Sequence, residues 1–126
     1  PSPSRPSTRK SNSDTASSMT TVQQAVDVLL SLPVVQEKPN SGYQDFRVRD
    51  RIFAKLWSGA GLVHLKVGEE EQQMLITQSR LYSLPREGVK AGWISVNLTA
   101  LTEDLFEEVA WKAWRNAAGP KLSLQY

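Results

Sequence analysis

Residues 43–66 read YQDFRVRDRIFAKLWSGAGLVHLK, and the spacing of apolar side chains in this stretch points to the fold class. In YQDFRVR apolar and polar residues alternate, the period of a strand with one buried face. IFAKLW and LVHLKV form two more strands on either side of Ser58-Gly59-Ala60-Gly61, a short glycine-bearing loop that joins antiparallel neighbours as a hairpin. Arg49, Asp50 and Arg51 make the other connection. Three strands therefore follow one another as a meander.

Upstream, Thr20 or Thr21 stands three residues ahead of Gln23 or Gln24, a capping-box start. Val22, Val26, Leu29 and Leu30 then share one side of a helix, which ends at Leu32 because Pro33 disfavours helical geometry in its predecessor. PVVQEKPNSG (33–42) reads as a linker. Downstream, Glu69 to Gln78 reads as a second helix, since three glutamates suit its positive end and Met74, Leu75 and Gln78 share a side. SRLYSLPREGVKAG (79–92) reads as loop, and WISVNL (93–98) as a fourth strand with Ile94, Val96 and Leu98 toward the core. The last segment, TEDLFEEVAWKAWRNAAG (102–119), is a strong helix. Thr102 caps it, acids fill its first turn, and Leu105, Phe106, Val109, Ala110 and Ala113 form its apolar arc until Gly119-Pro120 stops it. The order α-β-β-β-α-β-α predicts an α+β fold: an antiparallel four-stranded sheet with helices packed on one face.

The 126 residues leave room for one domain. The first eighteen, PSPSRPSTRKSNSDTASS, hold seven Ser, three Pro and no apolar side chain larger than Ala16, so they cannot bury enough surface to offset ordering entropy. Residues 1–19 are therefore expected to be a disordered tail, and residues 20–126 the single domain. Arg5, Arg9 and Lys10 against Asp14 account for the whole net charge of +2. The body is neutral, so any electrostatic argument for a nucleic-acid partner must come from clustering on one face. The absence of cysteine removes disulfides, thiolate metal sites and cysteine nucleophiles. No apolar run approaches the roughly 20 residues of a membrane span, and the N-terminal segment lacks the apolar core of a secretory signal, so a cytoplasmic location is expected.

The segments above, taken together, resemble the MmcQ/YjbR-like family. The resemblance rests on Ser31-Leu32-Pro33 at the end of the first helix, RIFAKL at 51–56, LVHLK at 62–66, and GWISVNL at 92–98 before a helix with an acidic start. It implies a CyaY-like fold and a double-wing DNA-binding role. Two departures stand out. A glycine-rich turn expected between the first two strands of the meander is Arg49-Asp50-Arg51 here, and the loop 85–90 before the GW pair carries no histidine.

Helices on one face leave the other uncommitted. With Phe46, Val48, Val63, Leu65, Ile94 and Val96 inward, the outer face presents Tyr43, Arg47, Arg49, His64, Lys66, Trp93, Ser95 and Asn97. In RIFAKLW, turning Ile52, Ala54 and Leu56 inward is preferred because the other register would send Lys55 inward; Phe53 and Trp57 then join the outer face. Cations among aromatics suit nucleic acid, because charges neutralise phosphates while rings stack on bases. The candidate nucleic-acid-binding set is thus Arg47, Arg49, Arg51, Lys55, Lys66 and Trp93, with the hairpin tips as phosphate contacts. The same face also reads as an ordinary solvated surface, or as a contact for a protein partner or a second copy of the chain.

No residue set reads as a catalytic centre, a metal site or a cofactor cradle, and a non-enzymatic binding module is expected. His64 is the sole histidine, so no imidazole pair can form. There is no G-x-S-x-G elbow, and a strand rather than a helix follows SGAG. Glu103, Asp104, Glu107 and Glu108 could attract a hard cation, but favourable helix-dipole placement and a Glu108–Lys112 pair explain them without one. Trp111 falls opposite the apolar arc, to be covered by the C-terminal KLSLQY or by a partner.

Overall fold

Thr21 opens the first helix, α1 (Val22–Ser31), with a complete capping box: its hydroxyl accepts from the Gln24 amide, and the Gln24 side chain accepts from the Thr21 amide. Thr20 has a different task. It is buried, and its hydroxyl donates to the Leu101 carbonyl at 2.8 Å, tying the entry to α1 to the approach to the last helix. The computed structural model describes residues 19–85 and 91–126. After α1 come β1 (Val35–Asn40), β2 (Tyr43–Val48), β3 (Arg51–Trp57), β4 (Leu62–Lys66), α2 (Glu69–Gln78), β5 (Tyr82–Ser83) and β6 (Trp93–Asn97). A 3-10 turn at Leu98–Ala100 then leads into α3 (Glu103–Ser123). Residues 1–18, expected to be a tail, and residues 86–90, part of the stretch expected to be a loop, lie outside the described residues.

The fold is α+β with an antiparallel sheet, as expected, but the sheet has six strands in the order β1-β2-β3-β4-β6-β5 rather than four. β1 comes from the stretch read as a linker. It is an edge strand, exposed along all but its first residue, so it carries no burial pattern to recognise. β5, from the stretch read as loop, is two residues long and pairs Tyr82 with Val96 and Ser83 with Ser95. That is too short for any periodicity.

A bulge fixes the register of β3. Phe46 faces Ala54 and Arg47 faces Ile52, which leaves Phe53 as an extra residue. Phe53 and Ala54 are consequently both sealed in the core, while Ile52 shares a face with Arg47. The expectation of Phe53 outward and Ile52 inward is overturned; Ala54 and Leu56 are buried, with Lys55 and Trp57 half-buried on the opposite side. Alternation alone cannot locate a bulge, because an inserted residue reverses the parity of everything beyond it. The turn from β2 to β3 places Arg49 and Asp50 at φ 52° and 66°, the left-handed pair of a two-residue hairpin loop built here without glycine.

Phe46, Val48, Leu56, Val63, Leu65, Ile94 and Val96 make the buried face of the sheet, and α3 closes over it with Phe106, Val109, Ala110, Ala113 and Trp114. α3 crosses β2, β3 and β4 and packs against α1, while α2 lies by β5 and β6. Leu105, expected in the arc, is 37% exposed; fully buried Trp114 serves instead, its indole N–H donating to the Pro33 carbonyl at 2.8 Å. Lys112 pairs with Glu71 of α2 at 3.1 Å, not with Glu108. α2 rests on the core through Gln72, Leu75 and Ile76, whereas Met74 is exposed. Trp111 packs edge-on against Trp114 at the margin of the core, and Tyr126 closes on Trp114 rather than on Trp111. Gly119, at φ 81°, breaks α3 where Gly119-Pro120 was expected to stop it, and one more turn follows.

The GW pair is a packing device. The Gly92 carbonyl accepts from the amides of Val67 and Gly68, and the buried Gln72 side chain accepts from the Gly92 amide and donates to the Trp93 carbonyl. This clamp positions Trp93 at the start of β6.

Candidate functional site

Cross-strand registry aligns Lys38, Asp45, Lys55, His64, Ser95 and Ser83 in one line across all six strands. Directly paired residues point to the same face, and this line lies on the side away from α3. Trp57, Leu62 and Asn97 form the neighbouring row. On the other flank, Lys66 faces Trp93 and Arg47 faces Ile52.

The rings on this face form one cluster. Tyr43 stacks on Trp57 with centroids 5.2 Å apart and planes at 27°, and Trp57 tilts against His64 at 4.6 Å. Lys55 lies at the centre. Its ammonium sits 5.8 Å from the Tyr43 ring centre and 5.5 Å from that of Trp93, so two aromatic faces bracket one cation. Its cross-strand neighbour Asp45 is only 2% exposed and is held elsewhere: Oδ2 accepts from Arg47 at 3.1 Å and from the Asn40 side-chain Nδ2 at 2.7 Å. Asp45 Oδ1 and Arg47 Nε find no hydrogen-bond partner among the described residues. The face thus offers half-buried rings, an ammonium already engaged in π contacts, and an ion pair with unused valences.

Of the residues singled out from sequence, Arg47, Lys55, Lys66 and Trp93 come together here. Lys66 is exposed, and Arg47 is a quarter exposed and engaged with Asp45. Arg49 and Arg51 do not join them. They line a separate concavity against the end of α3, where Arg51 donates a long hydrogen bond to the Ala117 carbonyl. Asp45 escaped the sequence reading although its parity with Tyr43 and Arg47 was the available signal. Lys38 escaped because β1 had been taken for a linker.

The acids of α3 form a different surface. Asp104, Glu107 and Glu108 line a shallow concavity of about 380 Å³ with Leu105 and Trp111. Partial burial, then the charges of Asp104, Glu107 and Asp27, push the Glu103 carboxyl above its ordinary value. Among the described residues no group of three or more His, Asp or Glu converges as a metal site would require, and no helix is long and apolar enough to cross a membrane.

No curated protein matches the chain. Among solved structures, the crystal structure of Deinococcus radiodurans protein DR2400, with its DUF419 domain, is similar at a TM-score of 0.68 and 20% identity, over 83% of each chain. At that identity the likeness speaks for the fold alone. The family model for YjbR matches residues 30–116, from the end of α1 through Trp114 and most of α3. Because that match spans well over half of the sequence, the chain belongs to the YjbR family.

Proposed function

We propose that this YjbR-family chain is a non-enzymatic nucleic-acid-binding module, met in the cytoplasm, that lays a strand of DNA across the outer face of its sheet. The observation that carries the reading is the Tyr43–Trp57–His64 ring cluster beside a Lys55 ammonium bracketed by Tyr43 and Trp93. Rings give a stacking surface indifferent to sequence, at about 1 to 3 kcal/mol per base. Lys38, Lys66 and Lys55 supply cations along the same face, and Asp45, its acid, is already neutralised by Arg47. Bases must be free of a duplex to use such rings, so a single strand is the preferred form.

Fluorescence anisotropy with a labelled, unphosphorylated oligodeoxythymidine tests this. Binding should quench tryptophan emission and weaken as salt rises; Lys66→Ala should reduce the logarithmic salt slope by about 0.7, the value of one released counterion on a single strand. Trp93→Ala should lose about 1 to 3 kcal/mol of affinity. If the protein instead forms a salt-insensitive dimer that buries Trp57 and Trp93 and ignores the oligonucleotide, the face is a protein contact and the proposal is wrong.

A further inference from the structure

On the helix side of the sheet, away from the ring cluster, Arg49, Arg51 and Lys121 line one concavity of about 330 Å³. They arrive from chain segments about 70 residues apart, the β2–β3 turn and the short turn beyond the α3 break. No acidic residue is among the described residues lining the concavity, and none of the three cations makes an ion pair among them. Like charges brought together repel, and Asp50, the acid between the two arginines in sequence, makes no ion pair with either among the described residues. The geometry points to a binding site for a phosphate group, which would sit between the two guanidinium forks and the lysine ammonium.

Two details of the chain support the assignment. Arg49 occupies a left-handed position, φ 52°, that glycine would take without the roughly 1 to 2 kcal/mol cost borne by a residue with a Cβ. Its side chain is therefore kept at a cost, and it lines this concavity. Gly119, at φ 81°, turns the chain so that Lys121 closes the third side. The carbonyl end of the main α3 segment also attracts cations, yet the bond from Arg51 to Ala117 accounts for Arg51 alone. The rest of the Arg51 fork is left to the concavity, and a guanidinium presents paired N–H groups at the spacing of phosphate oxygens.

The site goes beyond the outer-face reading and does not depend on it. The test is an amide NMR titration of the full chain with inorganic pyrophosphate at constant ionic strength. Saturable shifts are expected at Arg49–Arg51 and at Gly119, Lys121 and Leu122. Arg51→Gln or Lys121→Gln, both at exposed positions, should weaken binding about tenfold while leaving the remaining spectrum in place. A second arm compares a 5′-phosphorylated oligonucleotide with its unphosphorylated twin. If either strand moves the same amides, the phosphate comes from nucleic acid, a terminal group where only the phosphorylated strand does so and a backbone phosphodiester where both do; if neither does while pyrophosphate binds, it comes from a small phosphorylated ligand. Shifts that do not saturate, or that persist unchanged in the Arg51→Gln/Lys121→Gln double variant, would overturn the assignment whatever the oligonucleotide does at the outer face.

Discussion

Gly92 shows how much a single backbone position can demand. A Cβ placed there would meet the Gly68 Cα at 3.1 Å and the Gly68 carbonyl carbon at 3.2 Å, and its φ of 85° belongs to glycine. Gly92→Ala should therefore cost about 3 kcal/mol, from left-handed strain plus a contact with backbone that cannot swing aside. Urea denaturation reads this directly, and a loss under about 1 kcal/mol would mean the β4–α2 junction gives way more easily than its hydrogen bonds suggest. Tyr82 carries the second expectation. Burial, and after it the Glu108 carboxylate, raise its phenol above the ordinary 10.0. A raised folded value means stability that is complete below about pH 10 and lost as pH climbs through the folded value. Glu108→Gln removes the lesser cause, so the tyrosinate absorbance of Tyr82 should appear at lower pH yet still above the usual range. An unchanged titration curve would break the link between the two residues. Neither relation was legible in sequence, because the close approach of Gly92 to Gly68 and the electrostatic influence of Glu108 on Tyr82 arise only on folding.

Elements declared themselves in proportion to how much of their surface is half buried. β2, β4 and β6 each alternate between core and face, and their inward residues were readable from parity. α3 announced itself through Thr102, whose hydroxyl accepts from the Leu105 amide, and through its acidic first turn. β1 and β5 had nothing to show, since the first is exposed and the second spans two residues. β3 was half readable: the bulge at Phe53 shifts the frame midway, so Lys55 and Trp57 were placed and Ile52 and Phe53 were not. The candidate face followed the same rule, with Lys55, Lys66 and Trp93 found by parity and Lys38 lost with the exposed β1; Lys121, in the hollow on the other side of the sheet, was beyond reach of any local pattern. The α1–α3 contact hinges on Trp114, whose N–H meets the Pro33 carbonyl where α1 hands over to β1. Trp114→Phe leaves that carbonyl without its donor and a gap beside Tyr126, and should lower stability by about 2 kcal/mol in thermal or urea unfolding. A neutral result would show that packing alone joins the two helices.

Taken as a molecule, the chain carries its cationic features on two sides of one sheet, an aromatic-rich face and a cation-lined hollow. They should respond independently. Arg51→Gln should weaken pyrophosphate binding about tenfold without altering the salt slope for an unphosphorylated oligonucleotide, and Lys66→Ala should lower that slope without altering pyrophosphate binding. Loss of both binding signals from either change would mean that a single continuous surface had been divided wrongly. The borders of the sheet carry a consequence of their own. On one margin Pro39 withholds a backbone donor and Glu37 and Lys38 stand exposed; on the other, β5 offers a ladder two residues long. An extended peptide arriving at either margin finds little to zip onto, so the sheet resists lengthening edge to edge into fibrils.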